Sequence, residues 1–548
     1  MERTDVNLYP TEAELPRNAA QNAVKEFWEN PAFRFFGRRL FSDQTLPEFL
    51  NELLLILFSP KRLEGKPGDS IPTCFPPRHM LCPEGQKLQY APKAQLNLKL
   101  FAFWSASRLD ARHPVHRQHF ECLRTLLRQR VDSDSPQEVN LILRDMENIF
   151  LGLRSIGEGR TWCAQQFLPI VQSLLTSECI WEERRGQSVS QWEDALSLFS
   201  FNKYAFMARG GEVLYYQLCL ALSQKEELIR QWNNEADLGL SGEEASPAKL
   251  HAALERHLPR LFSCPGLECL AKFICGLESE TAKRTDSNGV EARYQSMHWC
   301  ARESWREGYL FAVELLRIVS ADLDIMDRLS LLESACGMHI LRTLAARTAA
   351  LSESKASWPG YLLPVTAPEE KNASLRAVSH NAYRHLQMMQ QRLILDQLPN
   401  CTYDKGHSPE EKLERKKKYL EEVSAKYNAG LYAALAKNQL GLVAPRKGQG
   451  ARFVLPERVL RLLVLTLIPA GQHLSLDTFK RRARAWHGLV FDASGFEDAQ
   501  RWLSDQDALF SARCGAWLRD MLEDGNFLIH LSDACSLVRN PIRQCPEN

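Results

Sequence analysis

Between residues 136 and 351 the chain repeats one pattern, in which apolar residues at helical spacing are interrupted by short segments rich in Gly, Ser, Pro and charge. The clearest stretches cover residues 136–153, 211–231, 291–321 and 326–351. Apolar residues three and four positions apart form one face of an α-helix, whereas a half-buried strand alternates apolar and polar residues. The sequence therefore predicts a mainly α fold, a multi-helix bundle or irregular helical body.

The length of 548 residues predicts two to four domains. A Pro/Gly-rich connector (357–371) is followed by a helical pattern (373–398) and then by the polar run PNCTYDKGH, which we interpret as the boundary to the last domain. The expected domains are an N-terminal helical domain (1–130) with a Pro-rich loop (59–95), a helical body (131–400) and a basic, winged-helix-like C-terminal domain (401–548).

Cysteine usage and hydropathy predict a cytoplasmic location. The fifteen cysteines are scattered and odd in number, and the N-terminus MERTDVNLYPTEAEL lacks the apolar region of a secretory signal. The longest apolar runs are far shorter than the roughly 18 residues that a membrane span needs. We therefore expect no membrane partner.

Positive charge is concentrated in residues 437–487. This segment has ten Lys/Arg residues and two acids, a net charge of +8, whereas the whole chain carries +1. A local excess of this size is typical of nucleic-acid contact, although solvated charged helices show it too.

The basic segment also has an internal order. A Gly-rich loop, PRKGQGARF (445–453), precedes an apolar helix (456–468), a turn at 469–471 and a basic helix (475–487). The outline is that of a helix-turn-helix, and a strand expected at 527–531 favours a winged-helix variant. The loop is interpreted as a β-wing or a phosphate clamp.

In the basic helix, apolar side chains share one face and the cations Lys480, Arg481 and Arg484 share the other. We predict DNA as the partner. The candidate nucleic-acid-binding residues are Arg446, Lys447, Arg452, Lys480, Arg481 and Arg484. The alternative is a protein scaffold whose basic segment receives an acidic partner without direct DNA contact.

A second alternative is a metal-dependent enzyme. Two clusters could supply ligands, namely Cys74, His79 and Cys82 in TCFPPRHMLC, and His113, His116 and His119. The spacing C-x4-H-x2-C matches no common zinc module and a fourth ligand is missing. The sequence also contains no GxxxxGK[ST], GxGxxG after a strand, GxSxG or HExxH. We therefore expect a protein that is not an enzyme and has no cofactor.

Three segments carry a resemblance to a known family: FWENPAFRFFGRRLF (27–41), LPEFLNELLLILFSP (46–60) and LRDMLEDGNFLIHLSDACSLVRNP (518–541). They resemble the large helical accessory proteins of bacterial anti-phage defence systems, in particular a non-helicase component of a Druantia-type system. The resemblance implies a non-enzymatic DNA-binding or assembly subunit that works beside other subunits of a defence complex, such as a helicase. It supplies no catalytic residue.

Overall fold

The computed structural model describes residues 40, 42, 44–65, 70–82, 87–92, 94–95, 116–133, 135–153, 167–175, 177–181, 191, 199–204, 210–262, 264–281, 294–297, 300–352, 358–395, 408–411, 413–414, 417–418, 421, 429–504, 509–511, 513–532 and 535–545. The aromatic and basic segment 27–41 lies, except for residue 40, outside these ranges, as does His113. The side chains of His116 and His119 are likewise outside the description.

The protein is mainly α-helical, as the sequence predicts. The described α-helices are α1 (Leu46–Leu57), α2 (His116–Arg130), α3 (Pro136–Gly152), α4 (Gly210–Leu222), α5 (Glu226–Ala236), α6 (Pro247–His257), α7 (Pro265–Thr281), α8 (Trp305–Val319), α9 (Ile325–Leu351), α10 (Ala373–Leu395), α11 (Ala429–Ala433), α12 (Glu457–Leu467), α13 (Leu476–His487), α14 (Ala493–Ser504) and α15 (Ala516–Asp524).

Short strands join the helices. They are β1 (Lys61–Leu63), β2 (Leu88–Tyr90), β3 (Ala94–Gln95), β4 (Ser177–Trp181), β5 (Phe199–Tyr204), β6 (Gln295–Ser296), β7 (Leu363–Pro364), β8 (Val443–Ala444), β9 (Arg452–Phe453), β10 (His473–Ser475), β11 (Leu489–Val490), β12 (Leu528–Ser532) and β13 (Cys535–Arg539). They form small sheets in the orders β1-β2-β6, β3-β4-β5, β10-β13-β12, β11-β7 and β8-β9.

Helix boundaries follow the sequence closely where a cap is present. Helices α3 and α9 match the predicted stretches 136–153 and 326–351 to within one residue. The stretch 211–231 forms two helices instead of one. The side chains of Ser223 and Gln224 both donate to the carbonyl of Leu220 and end α4, and Lys225 is extended before α5 begins. Local side-chain bonds therefore override the apolar spacing here.

In the stretch 291–321, helix α8 begins only at Trp305. Residues 295–296 instead pair with β2 as strand β6. Strands β4 and β5 were not expected from the sequence. Both pairings join residues that are not neighbours in the chain, so the local spacing of apolar residues does not predict them.

Helix α4 lies between α1 and α8 at the centre of the core. Two glycines allow this close packing. A Cβ at Gly308 of α8 would lie 2.3 Å from the carbonyl oxygen of Gln217 in α4, and a Cβ at Gly211 would lie 2.4 Å from the backbone nitrogen of Leu53 in α1. Backbone therefore packs against backbone, at distances that an alanine side chain would not permit.

A buried ion pair joins α8 to α9. Arg342 donates two parallel hydrogen bonds to the carboxylate of Glu314, at 2.7 and 3.1 Å, and both side chains are at most 1% exposed. Burial by itself raises the pKa of Glu314, but Arg342 and His487 outweigh it and bring this pKa down to about 2. His487 belongs to α13, so one carboxylate connects three helices.

The same pair also reaches α4 through His339. The Nδ1 atom of His339 lies 3.3 Å from Arg342 Nη2, and its Nε2 atom lies 2.7 Å from Gln217 Oε1. Burial lowers the pKa of His339 well below its usual value, with Arg342 adding to the effect. A neutral imidazole that accepts from Arg342 and donates to Gln217 accounts for both contacts.

The C-terminal elements pack into this core. Trp486 of α13 is fully buried, donates through Nε1 to the carbonyl of Leu238 and lies 5.4 Å from the guanidinium of Arg317 in α8. The expected terminal strand is present as β12, which pairs with β13. Buried residues from Leu40 to Val538 belong to one hydrophobic cluster, which draws on all three segments predicted as domains.

The Pro-rich loop 59–95 is anchored to this core where it is described. The amino group of Lys61 is buried and donates to the carbonyls of Leu57, Ser59 and Thr73. The carboxylate of Glu255 accepts from the backbone nitrogens of Cys74 and Phe75. These bonds replace the hydrogen bonds that regular structure would supply.

Among the described helices, none combines the length and the apolar character that crossing a lipid bilayer requires.

Replacing Arg342 with Met is expected to lower the free energy of unfolding by about 3–5 kcal/mol, because it leaves the charge of Glu314 buried without its partner. The paired change Arg342→Met with Glu314→Leu removes both charges and should cost less than the single change. Denaturant unfolding of the two variants beside the parent protein measures the difference. Equal stability of the Arg342→Met variant and the parent protein would contradict the importance of the pair.

Candidate functional site

Helix α13 has the two faces that the sequence predicts. Phe479, Ala483 and Trp486 are fully buried. The hydroxyl of Ser475 caps the helix by accepting from the backbone nitrogen of Thr478, and the helix ends at Gly488, whose φ of +69° is left-handed. The cations of the opposite face therefore lie where the apolar spacing places them.

These cations are ion-paired. Lys480 lies 3.7 Å from Asp477 and 3.6 Å from Asp492. Arg481 pairs with Asp237 at 2.5 Å, and Arg484 with Asp498 at 2.6 Å. Asp237 follows α5 and Asp498 lies in α14, so, apart from Asp477, the neutralising carboxylates lie outside α13. The face is therefore less positive than the segment charge of +8 suggests.

Arg452 is also turned inward. It is 7% exposed, and its guanidinium donates to the hydroxyl of Thr366 at 3.1 Å and to the carbonyl of Pro368 at 2.6 Å. Burial and then the nearby cation of Arg376 lower its pKa. A buried arginine with these partners holds strand β9 in place, and it does not join the exposed cations.

The Gly-rich loop is the tip of a β-hairpin. Strands β8 and β9 pair antiparallel, with Val443 opposite Phe453, and Arg446 and Lys447 are exposed between them. Gly448 and Gly450 have left-handed φ values of +94° and +80°. The two glycines allow the tight reversal of this hairpin.

The hairpin lies beside helix α10. The imidazole Nδ1 of His380 lies 2.7 Å from the carbonyl oxygen of Ala451, and the hydroxyl of Ser379 accepts from the backbone nitrogen of Phe453. Arg376 and Arg384 flank His380 at four-residue spacing, so these side chains share one face of α10. Lys437 lies 5.4 Å from the ring centroid of Tyr383 on the same helix.

We call Arg376, Arg384, Arg446 and Lys447 the hairpin surface. All four are exposed, and within the described part of the chain none of them forms an ion pair. Sequence reasoning found the two loop cations but missed the two arginines of α10. Arg376, His380 and Arg384 are basic residues at i, i+4 and i+8, a spacing that a count of charge per segment does not detect.

No family model matches the chain, and neither the curated proteins nor the solved structures include a match. The function has to be argued from the site itself.

The cysteine and histidine cluster of the Pro-rich loop does not form a metal centre. Cys74 is buried whereas His79 is exposed, and burial raises the pKa values of the Cys74 and Cys82 thiols to about 12. Throughout the described ranges, no group of three His, Cys, Asp or Glu residues has a geometry that could hold a metal ion.

A cavity of about 730 Å³ lies beside α13. Its wall contains Arg306, Arg347, Arg481 and Arg484, together with Trp232 and Glu307. Two predicted site residues, Arg481 and Arg484, thus line one cavity with two arginines from α8 and α9, a proximity that no sequence pattern indicates.

Glu307 is the unusual carboxylate of this cavity. It is 4% exposed, and its Oε2 atom has no hydrogen-bond partner. Burial raises its pKa from 4.5 to about 7, although the cations of Arg306, Arg347 and Arg342 act in the opposite direction. The carboxyl group is therefore partly protonated near neutral pH.

Because the folded state holds the Glu307 proton more tightly than the unfolded state, this group stabilises the fold fully below pH 4.5 and loses that contribution as the pH rises through about 7. The loss corresponds to roughly 3 kcal/mol. Replacing Glu307 with Gln removes this pH-dependent contribution. The stability of the variant relative to that of the parent protein should therefore increase between pH 5 and pH 8.

Thermal unfolding of the parent protein, Glu307→Gln and Glu235→Gln at both pH values provides the measurement. Glu235 is an exposed carboxylate on the rim of the same cavity, so its removal should leave the pH dependence unchanged. A parallel pH dependence in all three proteins would show that Glu307 is already ionised at pH 5.

Proposed function

We propose that the protein is a non-enzymatic assembly subunit that holds the sugar-phosphate backbone of DNA on the hairpin surface. The observation that carries the proposal is the position of Arg376, Arg384, Arg446 and Lys447, which are exposed and lack ion pairs among the described residues. Such cations can release counterions from a phosphodiester chain, and this release drives most non-specific binding to DNA.

The winged-helix interpretation is part of this proposal. Its support is the sheet order β10-β13-β12, in which a strand before α13 pairs with the second strand of the terminal hairpin. The helix before that hairpin, α15, displays Asp520, Glu523 and Asp524 beside the single cation Arg519. An acidic helix is repelled by the phosphates that line a major groove, so the proposed contact is with the backbone and is not sequence-specific.

The hairpin surface is preferred to α13 because of charge pairing. Lys480, Arg481 and Arg484 would have to give up contacts with Asp492, Asp237 and Asp498 before they could contact phosphate. Arg446 and Lys447 lose no such contact. The prediction that α13 itself binds DNA becomes one arm of the test.

The place of the protein in a bacterial anti-phage defence complex, beside a helicase or other subunits, rests on the resemblance of its terminal segments to Druantia-type accessory components. A cytoplasmic location goes with this role, and the eleven free cysteines among the described residues are compatible with a reducing compartment. No residue is assigned a catalytic role.

Changing Arg376, Arg446 and Lys447 together to Gln should weaken binding to a DNA duplex and flatten the plot of log affinity against log salt by about 2.7, since each lost phosphate contact removes about 0.9 from the slope. Fluorescence anisotropy with a labelled duplex at several salt concentrations measures both quantities.

Two further triple variants complete this experiment. Changing Lys480, Arg481 and Arg484 to Gln removes the same charge from α13 and should flatten the slope less. Changing Arg230, Lys249 and Arg513 to Gln removes the same charge from other exposed positions and controls for net charge. The proposal is wrong if the hairpin variant keeps the affinity and salt slope of the net-charge control.

One observation favours the scaffold alternative: the cations on the exposed face of α13 are neutralised by ion pairs. A protein that assembles its partners only through protein contacts should retain them after nuclease digestion. We expect capture on the tagged protein, with and without nuclease, to release DNA but keep directly bound subunits. If the hairpin variant captures the same partners as the parent protein and neither binds DNA, the scaffold function replaces the DNA-binding one.

A further inference from the structure

The cavity beside α13 combines features that the proposed DNA contact does not use. Its wall is built from the end of α5, the start of α8, the end of α9, residues 358–360 and the face of α13 that carries Arg481 and Arg484. Its volume of about 730 Å³ lies within the range of small-molecule sites, which is roughly 300–1,000 Å³. The residues at its floor are buried, whereas those at its rim are exposed.

Polar atoms at the floor lack partners. Trp232 and Glu307 are 5% and 4% exposed, and neither Trp232 Nε1 nor Glu307 Oε2 has a hydrogen-bond partner. One atom is a donor and the other belongs to a carboxyl group that can accept or, when protonated, donate. Both residues line the cavity, although these two atoms are themselves almost completely shielded by the surrounding side chains.

The cavity also has an aromatic corner. The rings of Trp232 and Trp358 meet at 84° with their centroids 5.2 Å apart, and the Nε1 of Trp358 is held by the carbonyl of Ala485. Trp305 packs against the other side of Trp232, at 5.1 Å and 76°. Two fixed rings at a right angle can stack on a flat ring and contact its edge at the same time.

The cations of the cavity differ in how far they are neutralised. Arg347 is 2% exposed and lies 3.5 Å from Glu303, whereas Arg481 pairs more closely with Asp237 at the rim and Arg484 with Asp498 outside the cavity. Arg306 is half-buried and lies 4.9 Å from the ring of Trp305, and among the described residues it has no ion pair. Arg306 is therefore the cation best placed to accept an anionic group.

We propose that this cavity binds a nucleoside phosphate, with the base in the corner formed by Trp232 and Trp358 and the phosphate near Arg306 and Arg347. A planar ring matches the aromatic corner, and several guanidinium groups match a phosphate with more than one negative charge. Neither an uncharged nucleoside nor inorganic phosphate satisfies both parts of the wall.

Isothermal titration calorimetry of the full-length protein with the four 5′-ribonucleoside monophosphates and triphosphates tests the proposal. Adenosine and inorganic phosphate are the probes that lack one part of the ligand. At least one nucleotide should bind, and it should bind at least tenfold more tightly than either partial probe. The same nucleotide should raise the thermal unfolding temperature.

Variants at Arg306 locate the site. Arg306→Gln should weaken nucleotide binding by roughly 10- to 100-fold, as expected for the loss of a charge-assisted hydrogen bond. Arg306→Lys keeps the charge and should bind more tightly than Arg306→Gln. Arg230→Gln removes an exposed cation from the far side of α5, and its affinity should equal that of the parent protein.

Absence of binding by all eight nucleotides at millimolar concentration overturns the proposal, and so does equal binding by Arg306→Gln and the parent protein. The result is independent of the DNA assay, because none of the residues changed here belongs to the hairpin surface.

Discussion

The buried pair of Glu314 and Arg342 is the interaction on which the rest of the structure depends. Removing two charges from water is expensive, and their attraction repays the cost only in good geometry with further hydrogen bonds. Arg342 meets this condition by contacting both oxygens of Glu314 and the ring of His339, while His487 approaches from α13. Helices α8, α9 and α13 therefore have one mutual arrangement in which this centre is satisfied.

The position of α13 explains why a strongly basic segment produces a nearly neutral face. With Trp486 fixed in the core, the cations on the outer side of the helix lie against carboxylates supplied by α5 and α14. Charge counted along a segment and charge counted over a surface are different quantities, because folding brings distant acids beside the bases. Exposed positive charge is found instead where β8 and β9 meet α10.

The hairpin surface and the cavity favour different ligands for physical reasons. Arg446 and Lys447 are exposed, so salt screens them and they suit a long phosphate chain held by many weak contacts. Arg347 and Glu307 are buried, where electrostatic interactions are stronger and an unsatisfied atom is costly. A small ligand that matches a few fixed groups is better suited to such a site.

Local sequence determined the helices, because apolar spacing and caps such as Ser475 act within a few residues. It also marked the hairpin loop, whose glycines and cations are adjacent in the chain. Only the tertiary structure decided that α13 is ion-paired, that Arg452 is buried and that Arg306 shares a cavity with Arg484. These outcomes depend on burial and on contacts beyond one helix, from 14 positions along the chain for Arg484 and Asp498 to 244 positions for Arg481 and Asp237, and neither leaves a periodic signal in the sequence.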